Sequence, residues 1–343
     1  MMKTIGAVAT AFALTLGATA GTATAAEPAF DNLSANLSSA FSGSSETLPL
    51  EPNLPVVPGG TGEAIDYTQP LPGNAAKDAQ YGFPTGAALG PENDFYAALM
   101  KTLVYTGQYP KGMNDFSCTS EKNPVILLPG TTTNIYNDFS KMAPALMDAG
   151  YCVYGFNHNP GTIPATQFAG DIKDSARALG LVVDRVLKET GAEKVTLVGH
   201  SQGGGIMPIY YINNYGGDKK VDHLIGLAPS NNGTTVGGMF KASEFTNGVV
   251  DFFAGVASRQ QLIGSDLVNE VYHNGPVTRP GVKYTMIASA TDQTVTPYTN
   301  SFIDEPGVTN ITVQDHHPGF VSDHNNMTYY EQVIDLTLRA LKA

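Results

Sequence analysis

The feature that most constrains the fold is a Gly-His-Ser-Gln-Gly run centred on Ser201, because of what lies on either side of it. Residues 194–198 form a short apolar pattern typical of a strand, and residues 203–211 are typical of a helix. A serine on a tight strand-to-helix turn projects its Oγ above the sheet, and flanking glycines let the backbone bend without a Cβ clash. The pattern therefore predicts that Ser201 is a nucleophile rather than part of an ordinary glycine-rich turn.

Strand and helix patterns alternate from about residue 94 to the end of the chain. The predicted strands cover residues 125–128, 152–156, 194–198, 224–227, 284–289 and 311–313, and the predicted helices cover 95–106, 139–149, 171–190, 203–211 and 327–341. Short apolar strands that alternate with helices indicate an α/β fold with a mostly parallel central sheet and helices on both faces. Residues 231–281 are too long for an ordinary loop, so we predict a cap insertion over the sheet there.

A serine alcohol needs a base and an acid that orients the base. Where the serine lies on such a turn, the acid and then the histidine follow it along the chain. Asp292 comes directly after the predicted strand 284–289, and it is our predicted acid. His324 follows a Pro-Gly loop and precedes the last helix, so it can reach back over the serine. It is our predicted base, and the alternative is His317, which follows the last strand more closely.

The tetrahedral intermediate of acyl transfer needs two N–H donors aimed at its oxyanion. One is expected from Gln202, whose amide follows the nucleophile. The other is expected from the loop after strand 125–128, where Thr131 is the first choice and Thr132 the alternative. Thr131 would donate through its backbone N–H, with its hydroxyl as a further donor.

The overall composition excludes several classes of function. The chain has 343 residues and a formal charge of −12 from 19 basic and 31 acidic side chains. Such an acid excess opposes binding to nucleic acid and to anionic membranes. No internal apolar run approaches the roughly 20 residues of a membrane span. The sequence has no His-Glu-x-x-His pattern, no Cys–His cluster and no phosphate-binding loop, so we expect neither a metal nor a cofactor.

Residues 1–92 differ in composition from the rest of the chain. Residues 1–25 have the apolar run and small-residue end of a secretory signal peptide. Residues 26–92 form an acidic arm rich in Pro, Gly and Ser, so the catalytic domain is expected at residues 93–343. We therefore expect a secreted or cell-envelope location. In an exported protein Cys118 and Cys152 most simply form one disulfide, and the alternative is two buried free thiols.

Several segments resemble a known family. The Val-Ile-Leu-Leu-Pro-Gly-Thr segment at 125–131, the run around Ser201 and the Leu-Ala-Pro-Ser-Asn segment at 227–231 resemble the secreted actinobacterial class 2 lipases. The Pro-Gly-Thr turn is also similar to that of fungal lipase-B type enzymes, where the threonine serves the oxyanion hole. The resemblance runs from about residue 114 to the end. Pro129 is a departure, since many members have histidine there.

The resemblance implies an α/β-hydrolase fold and triacylglycerol lipase or esterase activity. It also implies that Asp292 and His324 lie in the segments that carry the acid and the base, and that Cys118 pairs with Cys152. The expected partner is an acyl ester or lipid substrate, with transient contact to a lipid interface, and the expected state is a monomer. The alternatives are a cell-envelope acyltransferase that uses the same acyl-enzyme and a non-catalytic, hydrolase-like binding protein.

Overall fold

The computed structural model describes residues 82–104, 107–162, 166–238 and 249–343, with the side chains of residues 103–104 and 249–254 left undescribed. The predicted signal peptide and most of the predicted arm, up to residue 81, lie outside the described residues. Within the described ranges, no helix has both the length and the apolar character needed to cross a membrane.

Six parallel strands form the central sheet, in the spatial order β4-β3-β5-β6-β7-β8. These strands are β3 (Val125–Leu128), β4 (Val153–Gly155), β5 (Val195–His200), β6 (Val221–Leu227), β7 (Lys283–Ala288) and β8 (Val308–Thr312). Two short strands, β1 (Ala88–Leu89) and β2 (Tyr109–Pro110), pair separately. The predicted α/β fold with a parallel sheet is confirmed.

Helices cover both faces of this sheet. They are α1 (Phe95–Val104), α2 (Ile135–Phe139), α3 (Met142–Asp148), α4 (Ile172–Thr190), α5 (Ile206–Asn214), α6 (Val249–Gln260), α7 (Asp266–Tyr272), α8 (Val313–His316) and α9 (Glu331–Ala340). Because successive strand residues point to opposite faces, Ile126 and Leu128 pack in one apolar cluster with α4 and α5. Val125 and Leu127 pack in the other with α2, α3 and α9.

Three predicted helices differ from the observed ones. The helix predicted at 327–341 begins only at Glu331, after the 3₁₀ turn Asn325–Thr328. Residues 139–149, predicted as one helix, belong to two, since α2 already begins at Ile135 and α3 follows it. Asn134 caps α2, because its side chain accepts a hydrogen bond from the backbone N–H of Asn137, and asparagine is a preferred N-cap residue. The helix predicted at 203–211 is preceded by a 3₁₀ turn, Ser201–Gly204, and continues to Asn214.

Residues 82–92, which the prediction assigns to the arm, contact the catalytic domain. Strand β1 pairs with β2, and the Tyr136 hydroxyl donates a hydrogen bond to the carbonyl oxygen of Gly90 at 2.8 Å. The Phe83 and Phe116 rings meet edge to face, with their centroids 5.4 Å apart. This part of the chain therefore packs with the sheet domain.

The predicted cap segment, residues 231–281, has two parts. Its second part includes α7, whose Leu267 and Val268 are buried in the same cluster as α4 and α5. Its first part supplies Thr234 and Val236 to the cavity beside Ser201, and Gln261 does so just after α6. The extent of the cap as an insertion stays a prediction.

A disulfide joins Cys118 to Cys152, as predicted. It ties the segment before β3 to the residue before β4, and Cys152 is buried in an apolar cluster. The bond closes a loop with a sequence separation of 34 residues. In the chain-entropy account, a loop of this size stabilises the folded state by about 4 kcal/mol.

We expect reduction of this disulfide to lower the melting temperature by roughly 10 °C, because the unfolded chain regains the entropy of the open loop. The measurement is calorimetry of the full chain with and without dithiothreitol. The matched control is Cys118→Ala/Cys152→Ala, which should melt near the reduced protein and show no further response to reductant. This prediction would be contradicted if the melting temperature of the unaltered protein were the same with and without reductant.

Candidate active site

The carboxyl ends of the parallel strands bring the sequence-predicted residues to one edge of the sheet. Thr131 follows β3, Ser201 follows β5, and Asp292 follows β7. In open parallel sheets this edge is where ligands bind. His324 arrives from the loop before the 3₁₀ turn Asn325–Thr328.

The turn that carries Ser201 has a strained backbone supported by very close packing. Ser201 has a φ of +54°, in the left-handed region, and is 9% exposed. A Cβ on Gly199 would lie 1.8 Å from the carbonyl oxygen of Gly203, and one on Gly203 would lie 2.2 Å from that of Leu128. Both positions therefore require glycine, which explains physically why the pattern around Ser201 predicts this turn.

Asp292 and His324 form a buried hydrogen-bonded pair. Asp292 Oδ2 accepts from His324 Nδ1 at 2.8 Å, and both residues are less than a tenth exposed. Asp292 Oδ1 accepts from the backbone N–H groups of Thr294 and Val295 at 2.7 and 2.9 Å. Asp292 Oδ1 thus stabilises the turn at residues 292–295, and Asp292 Oδ2 orients the His324 ring. In the neutral ring this hydrogen bond places the hydrogen on Nδ1 and leaves the lone pair on Nε2.

Ser201 and His324 line one cavity of about 90 Å³. Its other walls come from α1, from the loop after β3, from residues 231–281 and from the loop after β7. Among the residues that line it are Phe95, Leu99, Thr131, Thr132, Ser230, Val236, Gln261 and Val295. His317, the alternative base, is not among the lining residues. The volume corresponds to about three water molecules, so the cavity can hold a reacting ester group.

Thr131 makes its closest side-chain contacts with two glutamines. Gln261 Nε2 donates to Thr131 Oγ1 at 2.6 Å, and Gln202 Oε1 lies 3.5 Å from the same hydroxyl. The Gln261 amide is fixed, because its Nε2 also donates to the carbonyl oxygen of Ala257 and its Oε1 accepts from the Ser230 hydroxyl. The Thr131 hydroxyl thus accepts from Gln261 and donates to Gln202 Oε1, and the second of these bonds is long enough for a closer acceptor to replace it.

A second carboxylate–imidazole pair lies behind the cavity. Asp138 Oδ1 is 3.1 Å from His200 Nδ1, and both side chains are fully buried. His200 Nε2 lies 2.9 Å from the backbone carbonyl oxygen of His324. Burial is the largest single effect and opposes the charged imidazole, but the charges of Asp138 and Asp292 and the hydrogen bonds to Asp138 and the His324 carbonyl together outweigh it, so the pKa of His200 is raised.

Sequence reasoning identified neither Asp138 nor Gln261. Their partners are 62 and 130 residues away along the chain, so no local spacing signals them. An acidic residue inside an otherwise buried helix was the available clue for Asp138, since a buried carboxylate needs a partner. Within the described part of the chain, no cluster of three or more His, Cys, Asp or Glu side chains could hold a metal ion.

Comparison with known families agrees with this architecture. The profile of a family described as "alpha/beta hydrolase fold" matches residues 123–263. That match covers β3, β4, β5 and β6 and the turn with Ser201. The chain therefore has an α/β-hydrolase fold, with six parallel strands flanked by helices.

The chain is similar to two solved structures at low sequence identity. Aspergillus fumigatus lipase B is 20% identical over 76% of this chain, with a TM-score of 0.54. The match spans 62% of the length of that lipase. The mature form of Bacillus licheniformis lipase BlEst2 is 17% identical over 65% of this chain and 93% of its own length, with a TM-score of 0.48. The similarity to the Aspergillus lipase is distant and establishes the fold alone, and the similarity to the Bacillus lipase is weaker still.

Proposed function

We propose that the chain is a serine hydrolase that cleaves carboxylic esters through an acyl-enzyme. Ser201 is the nucleophile, His324 the general base and Asp292 the acid that orients it. The observation that carries this proposal is the 2.8 Å hydrogen bond from His324 Nδ1 to Asp292, beside a cavity that Ser201 also lines. It orients the ring so that, in the neutral imidazole, Nε2 is the nitrogen available to take a proton.

The first half of the reaction forms the acyl-enzyme. Ser201 Oγ attacks the ester carbonyl carbon while its proton passes to His324 Nε2. The carbonyl oxygen becomes an oxyanion, which the backbone N–H groups of Thr131 and Gln202 and the Thr131 hydroxyl stabilise. When the intermediate collapses, the leaving alkoxide takes the proton from His324 and departs as an alcohol.

The second half releases the acid. Water attacks the acyl-enzyme carbonyl and gives a proton to His324, and Ser201 Oγ takes that proton back as it leaves. The sum is ester plus water giving carboxylic acid plus alcohol. Asp292 stays ionised throughout and stabilises the transient imidazolium.

We assign the substrate class as acyl or lipid esters, and the chain as a lipase or esterase of the actinobacterial class 2 type. The sequence segments around Thr131, Ser201 and Asp292 support this, as does the α/β-hydrolase fold. The Cys118–Cys152 disulfide supports a secreted or cell-envelope location. Under this proposal residues 1–25 are a leader, residues 26–92 an arm, and residues 231–281 a cap.

Replacement of the nucleophile is the direct test. We expect Ser201→Ala to lower turnover of p-nitrophenyl butyrate by roughly 10⁴- to 10⁶-fold, and His324→Ala to act similarly, because triad members act as a unit. The double variant should lose little more. His317→Ala is the matched control and should keep normal turnover, with circular dichroism confirming that all four proteins fold.

Loss of activity in His317→Ala, with activity retained in His324→Ala, would show that His317 and not His324 is the base.

Product analysis then separates hydrolysis from acyl transfer. We expect free acid to remain the main product when glycerol is added as an acceptor alcohol, and predominant transfer to glycerol would make the protein an acyltransferase. Full ester turnover by Ser201→Ala would end the proposal itself.

The Thr131 hydroxyl gives a second test. We expect Thr131→Val to lower kcat by roughly 10²-fold with little change in KM, because one donor to the transition-state oxyanion is lost. Thr131→Ser keeps the hydroxyl beside Gln261 Nε2 and should retain most of the activity. Equal kcat values for these two variants would show that the hydroxyl does not serve the oxyanion.

A further inference from the structure

The buried Asp138–His200 pair touches three of the four chain segments that carry the proposed catalytic groups. Asp138 Oδ2 accepts from the backbone N–H of Gly130 at 2.6 Å and from the Thr133 hydroxyl at 2.8 Å, both in the loop after β3. His200 directly precedes Ser201. Its Nε2 reaches the backbone carbonyl oxygen of His324 at 2.9 Å. The pair therefore links the oxyanion loop, the nucleophile turn and the loop of the base.

The hydrogen-bond partners of His200 decide its protonation. A backbone carbonyl can only accept, so Nε2 carries a hydrogen. At Nδ1 the partner is a carboxyl group whose other oxygen already accepts from Gly130 and Thr133, and two such donors favour its ionised form. The shared proton therefore resides on the ring, and His200 is an imidazolium with hydrogens on both nitrogens.

Several charged or titratable groups face this imidazolium. Asp138 contacts it directly, Asp292 adds a second negative charge, and the His324 ring lies with its centroid 4.8 Å away. On the other side of Asp138, burial and the charge of Asp138 raise the pKa of the Tyr329 phenol well above its usual value, so this group is neutral. Two carboxylates against one buried cation favour the charged ring despite its burial.

We propose that Asp138 and His200 are positioning residues, whose ion pair holds the His324 backbone and thereby its ring in the reacting position until alkaline pH removes a proton from His200. This inference rests on the function proposed above. A neutral His200 has one N–H for two acceptors, so it must lose its hydrogen bond either to Asp138 or to the His324 carbonyl. The base loop then loses its anchor. Because the displaced group is the base that takes part in both proton transfers, the effect falls on kcat more than on KM.

The direction of the pH effect follows from the raised pKa of His200. A histidine whose folded-state pKa exceeds its unfolded value of about 6.5 contributes stability that is complete below the unfolded pKa. That contribution is lost as pH rises through the folded-state pKa. The expected effect is therefore an alkaline limb in kcat, which falls about tenfold per pH unit above its midpoint.

Asp138→Asn removes the negative charge of this side chain while nearly keeping its shape. The asparagine oxygen can still accept from Gly130 and Thr133, while its NH₂ donates to a neutral His200 whose Nε2–H still reaches the His324 carbonyl. Every hydrogen bond is then satisfied without a charge. We expect kcat at pH 7 to fall about tenfold, since neutral hydrogen bonds are weaker than charge-assisted ones, and the alkaline limb to disappear.

The measurement is kcat for p-nitrophenyl butyrate from pH 6 to pH 10, in full-length protein and with enzyme-free blanks. The control is Asp335→Asn, which removes a carboxylate from a surface pair with Arg339 and should leave the whole profile unchanged. If the alkaline limb stays at the same pH in Asp138→Asn, the pair does not act through its charge and the proposal is overturned.

A second measurement does not depend on enzyme activity, so it tests the proposal even if Asp138→Asn fails to fold. In the full-length Ser201→Ala protein with ¹⁵N-labelled histidine, we expect NMR to show both ring nitrogens of His200 protonated at pH 7. A neutral tautomer would overturn the proposal. Failure of the proposed function looks different, because Ser201→Ala would then keep its ester turnover whatever the state of His200.

Discussion

The close approach of β5 to the end of β3 is the constraint on which the rest of the site depends. Gly199 and Gly203 leave no room for a Cβ, and this lets the turn sit against the carbonyl oxygen of Leu128. Ser201 is thereby held at positive φ, a conformation that costs about 1–3 kcal/mol for a residue other than glycine. The same packing brings Gly130, at the start of the oxyanion loop, against Ser201, since a Cβ on Gly130 would lie 3.2 Å from the Cβ of the serine. The proposed nucleophile and the proposed oxyanion loop are thus positioned by one contact.

The parts of the fold that follow from local rules could be predicted from the sequence. The parallel sheet follows from short apolar strands that alternate with helices, and β3 has its predicted bounds of 125–128. Asp292 and His324 could be selected because chain order along parallel strands fixes which loops meet at the carboxyl edge. The break between α2 and α3 was missed, because the capping of α2 by Asn134 competes with an apolar pattern that continues through both helices.

Contacts between distant segments could not be predicted in this way. The pairing of Asp138 with His200 depends on α2 packing beneath the turn, which no residue spacing reports. A buried ion pair is also weak support for stability, since the desolvation of both charges offsets much of their attraction, while loss of one partner costs about 3–5 kcal/mol. Its three additional contacts, to Gly130, Thr133 and the His324 carbonyl, are better explained by the need to hold three loops in a single arrangement.

Gln261, in the predicted cap, makes another contact between distant segments, since it binds Thr131. The aromatic side chains of that segment at residues 240, 252 and 253 lie outside the described part of the structure. The described contact is polar. The Gln261 amide connects Thr131 with Ser230 and Ala257, each through a hydrogen bond of 2.9 Å or less. A shift of the last turn of α6 would therefore turn the Thr131 hydroxyl, so the wall of the cavity and the geometry of its oxyanion donors cannot change independently.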